Sequence, residues 1–123
     1  MKRILLVDDD PHARSALRLV LESQGYDCLE ASNGAEALSR LEQESADLVI
    51  TDNLMPVLGG LEFVQRLREK VGDRAPRTII LSGNLGEDDK RHAQQLGAFA
   101  VLDKPCDFKE FLSLVALALQ QQD

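Results

Sequence analysis

Short, uninterrupted apolar runs recur along this chain, and they restrict its fold more than any other feature. The clearest are Ile4-Leu5-Leu6-Val7, Leu48-Val49-Ile50 and Ile79-Ile80-Leu81. Such a run predicts a strand that is covered on both faces, as in a parallel sheet. With two less apolar segments added, the predicted strands are Arg3–Val7, Tyr26–Glu30, Leu48–Thr51, Thr78–Leu81 and Phe99–Leu102. The segment Tyr26–Glu30 alternates more than the others, which suggests an edge strand.

Amphipathic helical patterns separate the predicted strands. In the first, Asp10 is the expected N-cap, Pro11 takes the first helical position, where its missing N–H costs nothing, and Gly25 ends the helix. Asn33 and Glu36 have the spacing of a capping box at the start of a second helix. Three more helices are predicted from Leu61 to Val71, from Glu87 to Leu96, and from Asp107 through Leu119. Alternating strands and helices with right-handed crossovers predict one α/β domain.

Charge and composition exclude several classes of function. The formal net charge is −7, and such a surface repels phosphate backbones and anionic lipids, so we expect no nucleic-acid or membrane binding. No apolar run approaches the about 20 residues that span a bilayer, and the run after Arg3 is too short for a signal peptide. The two cysteines lie far apart without metal-ligand spacing, which favours reduced thiols and a cytoplasmic location.

Polar side chains follow four of the five predicted strands. In an open α/β sheet, ligands bind beyond the carboxyl ends of the strands, so these side chains are expected to share one edge. In chain order the residues after these strands are Asp8, Asp9 and Asp10, then Asp52, then Ser82, Gly83 and Asn84, and finally Asp103, Lys104 and Pro105, of which all but the glycine and the proline are polar. Taken singly, most have an ordinary explanation as a helix cap, a turn former or a surface lysine. Their shared placement favours a functional site.

The residue types at this edge predict phosphoryl transfer. Asp8, Asp9 and Asp52 would repel one another when ionised, and a hard cation resolves that repulsion. Oxygen ligands with room for water and phosphate suit Mg2+. Lys104 can pair with a carboxylate or a phosphoryl oxygen, and Ser82 can donate a hydrogen bond to such an oxygen. A nucleophilic carboxylate, a metal, a lysine and a hydroxyl are the groups that this chemistry needs.

From about Lys2 to Leu119 the chain resembles the receiver domains of two-component response regulators. The resemblance is carried by Ile4-Leu5-Leu6-Val7-Asp8-Asp9-Asp10, by Asp52-Asn53-Leu54-Met55-Pro56 followed by Gly59-Gly60, by Leu81-Ser82-Gly83, and by Lys104-Pro105. All four groups occur in order at family-like separations. The resemblance implies a flavodoxin-like, doubly wound, five-stranded parallel sheet of order 2-1-3-4-5, and one receiver domain over residues 1–123.

The resemblance also implies a role for each acidic residue. Asp52 would be the phospho-acceptor, taking its phosphoryl group from a sensor histidine kinase or a histidine phosphotransfer protein. Asp9 resembles a direct Mg2+ ligand, Asp8 a ligand acting mainly through water, and the Leu54 backbone carbonyl would complete the protein's share of the metal shell. Such a domain is a signalling acceptor rather than an enzyme, although it assists its own phosphorylation and dephosphorylation.

The same resemblance implies how the domain switches. Lys104 would contact the phosphoryl group, Ser82 would move toward it, and the Lys104–Pro105 bond would be cis. The face around the fourth helix, fifth strand and fifth helix would then change and carry the output.

Several positions depart from the family pattern. Val101 stands where an aromatic residue commonly changes rotamer, and Phe99, expected on the same face of the strand, is a candidate substitute. An apolar Leu54 cannot hold a hydrolytic water by hydrogen bonding, which predicts slow self-dephosphorylation. The remaining departures are Cys106 in place of Phe, Gly59 in place of a polar residue, and Asn84 at a position that tunes phosphoryl lifetime.

The last predicted helix carries Leu114 and Leu117 beside its apolar stripe. Two explanations remain open. Either these residues are ordinary scatter or buried under a neighbouring helix, or they contact a second protomer or an output domain that follows Asp123.

Other classes of function also remain open. A dehalogenase-type phosphatase uses an Asp nucleophile and Mg2+, although Pro11 follows the Asp8-Asp9-Asp10 run where that class has a small or hydroxyl residue. A docking module with a vestigial acidic site is the second alternative, and Val101 favours it. A flavin-binding domain is disfavoured, because carboxylates after the first strand would repel a phosphate.

Overall fold

Strands and helices alternate along the whole chain in a computed structural model that describes residues 1–53, 57–83, 85–105 and 107–120. The strands are β1 (Arg3–Val7), β2 (Asp27–Ala31), β3 (Leu48–Asp52), β4 (Arg77–Ser82) and β5 (Ala100–Asp103). The helices are α1 (Pro11–Glu22), α2 (Gly34–Gln43), α3 (Gly60–Val71), α4 (Glu87–Leu96) and α5 (Phe108–Gln120). A short 3-10 turn over Gly72–Arg74, which the sequence patterns did not predict, follows α3.

The strands form one parallel sheet in the order β2-β1-β3-β4-β5. The predicted fold class, a doubly wound sheet of order 2-1-3-4-5, is therefore confirmed, and β2 lies at an edge as its alternating pattern indicated. The register aligns the carboxyl ends of neighbouring strands. Val7 pairs with Thr51, and Asp52 pairs with Leu81. Residues that follow these strands are thereby brought to one edge of the sheet.

The uninterrupted apolar runs are explained by two cores, one on each face of the sheet. Along β1, Leu6 belongs to a core that includes Phe111 of α5, while Leu5 belongs to a core that includes Phe63 of α3. We call these the α1/α5 core and the α2–α4 core. Because successive strand residues point to opposite faces, a strand covered on both sides must be apolar at every position. Ile4, Leu5, Leu6 and Val7 are all buried.

Side-chain caps start three of the helices. Asp10 accepts a hydrogen bond from the His12 N–H at 2.9 Å, so its predicted capping role is confirmed. Asn33 likewise accepts from the Glu36 N–H at 2.9 Å. The Glu36 carboxylate, however, accepts from the Ser32 hydroxyl at 2.8 Å. At the start of α5, Asp107 Oδ1 accepts from the Lys109 N–H at 2.9 Å.

The predicted end of α1 is wrong by a few residues. The helix ends at Glu22, where the Ser23 N–H still donates to the Leu19 carbonyl at 3.1 Å. Gly25 lies beyond the helix with φ of 90°, a left-handed conformation that glycine adopts without steric cost, and the chain turns there toward β2.

The expectation that Phe99 shares a face with Val101 is also wrong. β5 begins at Ala100, so Phe99 lies outside the strand, and the alternation of side chains does not extend to it. Phe99 packs against the α1/α5 core, whereas Val101 packs against the α2–α4 core. The Arg77 guanidinium carbon lies 4.8 Å from the Phe99 ring centroid, in a cation–π contact. Phe99 is therefore not the aromatic substitute that the sequence suggested.

The two leucines beside the apolar stripe of α5 differ in burial. Leu114 is partly buried against the α1/α5 core, whereas Leu117 is 43% exposed.

Cys28 is buried in the α1/α5 core, and burial raises its thiol pKa to about 11, as expected of a packing residue. Among the described residues, no helix is long and apolar enough to cross a membrane.

Candidate functional site

Four strand ends supply the side chains of the predicted site. Asp8 directly follows β1, Asp52 is the last residue of β3, Ser82 is the last residue of β4, and Lys104 directly follows β5. Parallel pairing in register brings these ends together, because each strand runs in the same direction as its neighbour.

Three carboxylates meet at this edge. Asp8, Asp9 and Asp52 each place one oxygen so that the three atoms lie within 4.8 Å of one another. Asp8 is buried, the Asp52 side chain is 15% exposed, and Asp9 is open to solvent. The structure therefore brings together the three carboxylates that the sequence predicted as metal ligands. One of them, Asp9, is exposed to solvent.

The acidic cluster opposes ionisation of its most buried member. Burial raises the pKa of Asp8 above its usual range, and the negative charges of Asp52 and Asp9 add to that rise. The Asp10 N–H, which donates to Asp8 Oδ1 at 3.0 Å, and the Lys104 ammonium act in the opposite direction. A divalent cation would relieve the same repulsion. Among the described residues the donor set is made of carboxylate oxygens, which fits a hard cation such as Mg2+.

Lys104 holds one oxygen of Asp52. Lys104 Nζ donates to Asp52 Oδ1 at 3.0 Å, and the Asn53 N–H donates to the same oxygen at 3.0 Å. The Lys104 backbone N–H donates to the Ser82 carbonyl at 2.8 Å, so the lysine is anchored to the end of β4. The peptide bond between Lys104 and Pro105 is cis, as the resemblance implied.

Ser82 and two glycines complete the surroundings of Asp52. Ser82 is only 1% exposed and lies on the strand next to Asp52. A Cβ atom on Gly60 would lie 2.7 Å from the Asp52 carbonyl oxygen, and one on Gly59 would lie 2.9 Å from the Asn53 carbonyl oxygen. The start of α3 therefore packs directly against the backbone that carries Asp52, at a distance that only glycine permits.

Some sequence predictions fall outside the described residues. They are the Leu54 backbone carbonyl, which the resemblance placed in the metal shell, and the departures at Asn84 and Cys106.

One contact of the site was missed by the sequence analysis. Arg14 Nη1 donates to the Asp8 carbonyl at 2.5 Å, and Arg14 Nε donates to Glu30 Oε1 at 3.0 Å. The available signal was positional, since Arg14 lies one turn after the Asp10 cap and so faces back toward the acidic turn. Its pairing with Glu30 depends on the β1–β2 register, which the local pattern does not contain.

The fold and the acidic edge together define a doubly wound α/β domain with a candidate cation site beside a lysine-paired aspartate. A family model described as "Response regulator receiver domain" matches residues 4–116. The chain therefore belongs to the response regulator receiver domain family, and its resemblance to that family is confirmed. Receiver domains of this family act in signal transduction and interact with histidine kinases.

Solved structures of receivers superpose closely on this chain. The receiver domain of the Francisella response regulator 1452 has a TM-score of 0.93 and 25% identity, with complete coverage of both chains. The chemotaxis protein CheY4 of Vibrio cholerae has a TM-score of 0.89 and 28% identity, covering 97% of this chain and 99% of that one.

Curated relatives differ in how much of their length this chain spans. Protein PilH of Pseudomonas aeruginosa is 34% identical, and the match covers 97% of this chain and 98% of PilH. The alkaline phosphatase synthesis transcriptional regulatory protein PhoP of Bacillus subtilis is 34% identical over 99% of this chain but only 50% of PhoP. In the sensor kinase/phosphatase CqsS of Vibrio cholerae the matched part is 15% of the protein. The same domain therefore occurs nearly alone and as part of longer proteins.

Proposed function

We propose that Asp52 is the phospho-acceptor of this receiver domain and that Mg2+ assists the transfer. The observation that carries the proposal is the meeting of Asp8, Asp9, Asp52 and Lys104 at one edge of the sheet. Asp52 is the carboxylate that both belongs to the acidic cluster and accepts a hydrogen bond from the lysine. A charged nucleophile flanked by a cation is the arrangement that phosphoryl transfer uses.

The transfer is a displacement at phosphorus. A carboxylate oxygen of Asp52 attacks the phosphorus of a phosphohistidine on a sensor histidine kinase or a histidine phosphotransfer protein. The P–O bond forms as the P–N bond breaks, and the imidazole leaves with the electron pair of that bond. Lys104 would pair with a phosphoryl oxygen, and the Ser82 hydroxyl would donate to another once the β4–α4 loop has moved.

The acidic residues would hold the metal. Asp9 would bind Mg2+ directly, Asp8 through water, and Asp52 through a carboxylate oxygen, while the Leu54 carbonyl is proposed from the family resemblance alone. When bound, the ion offsets the negative charge that the phosphoryl group brings to a cluster of carboxylates. An oxygen-only donor set with an exposed member supports this assignment.

The experiment is phosphorylation by acetyl phosphate with and without Mg2+, followed by intact-mass spectrometry. Wild type is expected to gain one phosphoryl group only when Mg2+ is present, and Asp52→Asn is expected to gain none. Asp103→Asn is the matched control, because this exposed carboxylate lies beside Lys104 but pairs with Lys90. Modification of Asp52→Asn at the wild-type rate would overturn the acceptor assignment. An unmodified wild type would instead favour a docking module whose acidic site is vestigial.

The output face is proposed to include α4, β5 and α5. Lys90 Nζ on α4 donates to Asp103 Oδ2 on β5 at 2.9 Å, next to Lys104 in the sequence. A movement of Lys104 on phosphorylation would therefore be transmitted through Asp103 to Lys90 in the first turn of α4. Val101 is partly buried against the α2–α4 core, and its short side chain does not act as a rotating aromatic plug. The exposed Leu117 is a candidate contact with a second protomer or an output domain.

The lifetime of the phosphorylated form is proposed to be long. An apolar Leu54 cannot position a hydrolytic water by hydrogen bonding, which removes one route to self-dephosphorylation. A phosphate-release assay on the purified phosphorylated chain measures the lifetime, and release within seconds would contradict the proposal. We also propose that the chain is cytoplasmic and that its role is signalling rather than enzymatic.

A further inference from the structure

We infer that Arg14, held in place by Glu30, is a positioning residue for the acidic site, and that it sets the affinity of Asp8 and Asp9 for a divalent cation. This inference rests on the proposed function, because it assigns to α1 and β2 a part in the metal chemistry proposed for the end of β1.

The Arg14 side chain joins three elements of the fold. Its Nη1 donates to the Asp8 carbonyl at 2.5 Å, and its Nε donates to Glu30 Oε1 at 3.0 Å. The two side chains are 17% and 28% exposed, so solvent competes only in part for these hydrogen bonds. Glu30 is itself fixed, since its second oxygen accepts from Arg18 Nη1 at 2.7 Å. The two contacts use different nitrogens of one planar guanidinium, and this fixed arrangement of donors is what a lysine ammonium lacks.

The Asp8 carbonyl belongs to the peptide that leads to Asp9. Because that peptide is planar, the direction of its carbonyl also sets the direction in which the chain leaves Asp8 toward Asp9. Two other polar atoms of Asp8 are also hydrogen-bonded: its N–H donates to the Ala31 carbonyl at 3.1 Å, and its Oδ1 accepts from the Asp10 N–H at 3.0 Å. Arg14 thus holds the carbonyl of Asp8, while backbone groups hold the N–H and one carboxylate oxygen of the same residue.

Charge and position act on cation affinity in opposite directions. The positive charge of Arg14 repels a cation, so its removal alone would tighten binding. That charge belongs to a network in which Arg14 and Arg18 pair with Glu30 and Glu22, and the two positive and two negative charges largely cancel at a distance. Loss of outer contacts that orient metal ligands typically weakens binding by about 10- to 100-fold. Loss of positioning is therefore expected to outweigh loss of charge, so that removal of Arg14 weakens cation binding. Tighter binding would instead indicate that the charge effect is larger.

The test compares Arg14→Ala with Arg18→Ala in the full chain by calorimetric titration with Mg2+. Arg18 pairs with the same Glu30 but does not donate to Asp8, so its variant removes a similar charge and a similar ion pair. Arg14→Ala is expected to raise the Mg2+ dissociation constant about 10-fold, while Arg18→Ala stays within about 2-fold of wild type. Amide NMR spectra without metal are expected to show shifted Asp9 and Asp10 signals in the Arg14 variant alone.

Two controls keep the result interpretable. Arg14→Lys retains one donor for the Asp8 carbonyl, so it is expected to recover part of the affinity, and it serves as the test if Arg14→Ala does not fold. Equal or tighter Mg2+ binding in both Arg14 variants, or equal weakening in the Arg14 and Arg18 variants, would overturn the inference while leaving the proposed function intact. Absence of Mg2+ binding in wild type, with Asp9→Asn as the reference for a lost site, would overturn both.

Discussion

Lys104 Nζ donates to Asp52 Oδ1 at 3.0 Å, across a sequence separation of 52 residues. The pair connects the ends of β3 and β5, which lie on either side of β4 in the sheet. The lysine side chain is 38% exposed and the aspartate side chain 15% exposed. In this form of the protein the Lys104 ammonium therefore partly neutralises the Asp52 carboxylate, with which a metal ion or a phosphoryl group would otherwise interact.

Removal of this lysine charge is expected to tighten Mg2+ binding. In Lys104→Met the ammonium no longer competes for Asp52, and an ion pair of this exposure is worth about 1 kcal/mol, or about a 5-fold change in affinity. Calorimetric titration at low ionic strength measures the change. Lys109→Met alters the net charge equally on α5 and is expected to leave the affinity unchanged. Weaker binding in the Lys104 variant would show that the lysine positions Asp52 rather than competing with the metal.

A stability change is expected at Val57, which follows the proposed acceptor by five positions. Its φ is 72°, a left-handed conformation that is an outlier for a β-branched residue and costs about 1–2 kcal/mol. The side chain is 80% exposed, so little packing is lost on substitution. Val57→Asn is expected to stabilise the fold by about 0.5–1 kcal/mol in urea unfolding, because Asn tolerates this conformation. Leu19→Asn, on an exposed helical position, is the control and is expected to be neutral or slightly destabilising.

The parts of the fold that the sequence predicted are those encoded by local pattern. The bounds of β1 and α4 match the predictions, because an uninterrupted apolar run forms most of β1 and a glycine lies directly before and directly after α4. The edge that collects Asp8, Asp52 and Lys104 followed from the rule for open α/β sheets. These features need no knowledge of which side chains meet across the fold.

The features that the sequence did not predict depend on contacts between distant segments. Phe99 points into the α1/α5 core because β5 starts one residue later than its composition suggests, so the alternation was extended too far. Glu36 has the spacing of a capping-box partner, yet its carboxylate bonds to the hydroxyl of Ser32. Arg14 meets Glu30 only because β2 lies beside β1 in the observed register.

Glu30 is expected to make stability depend on pH. Hydrogen bonds from Arg18 and then Arg14 hold its pKa below the ordinary value of 4.5. A depressed folded-state pKa means that the stabilisation is fully present above about pH 4.5 and is lost as the pH falls through the folded-state value. Glu30→Gln is therefore expected to lose about 1–2 kcal/mol at pH 7, and its deficit relative to wild type is expected to shrink below pH 4.5.

Urea unfolding at pH 7 and at pH 4 measures this difference. Glu22→Gln is the matched control, because Glu22 accepts one bond from Arg18 at 3.2 Å and is 44% exposed. Its loss at pH 7 is expected to stay below about 0.5 kcal/mol. A deficit of Glu30→Gln that is the same at both pH values would assign the effect to packing rather than to the ionised carboxylate.

Gly60 is expected to be indispensable to the geometry of Asp52. In an open helix, replacement of Gly by Ala would stabilise by about 1 kcal/mol. Here the added Cβ would lie 2.7 Å from the Asp52 carbonyl oxygen and 3.1 Å from Asn53 Cα, and both are backbone atoms that cannot rotate away. The clash therefore decides the sign: Gly60→Ala is expected to lose about 1–3 kcal/mol of stability.

The same substitution is expected to slow phosphorylation, because the backbone that must shift is the one that carries the proposed acceptor. Gly86→Ala is the control, since no atom lies within 4 Å of its added Cβ and it precedes α4 with an extended backbone. Its stability is expected to change by no more than about 1 kcal/mol, and its phosphorylation rate is expected to fall less than that of Gly60→Ala, because its added Cβ does not meet the backbone that carries Asp52. The measurement is the rate of phosphorylation by acetyl phosphate at saturating Mg2+ and at a temperature where both variants are folded. A wild-type rate in folded Gly60→Ala would mean that the start of α3 yields to the methyl group and that Asp52 keeps its place without it.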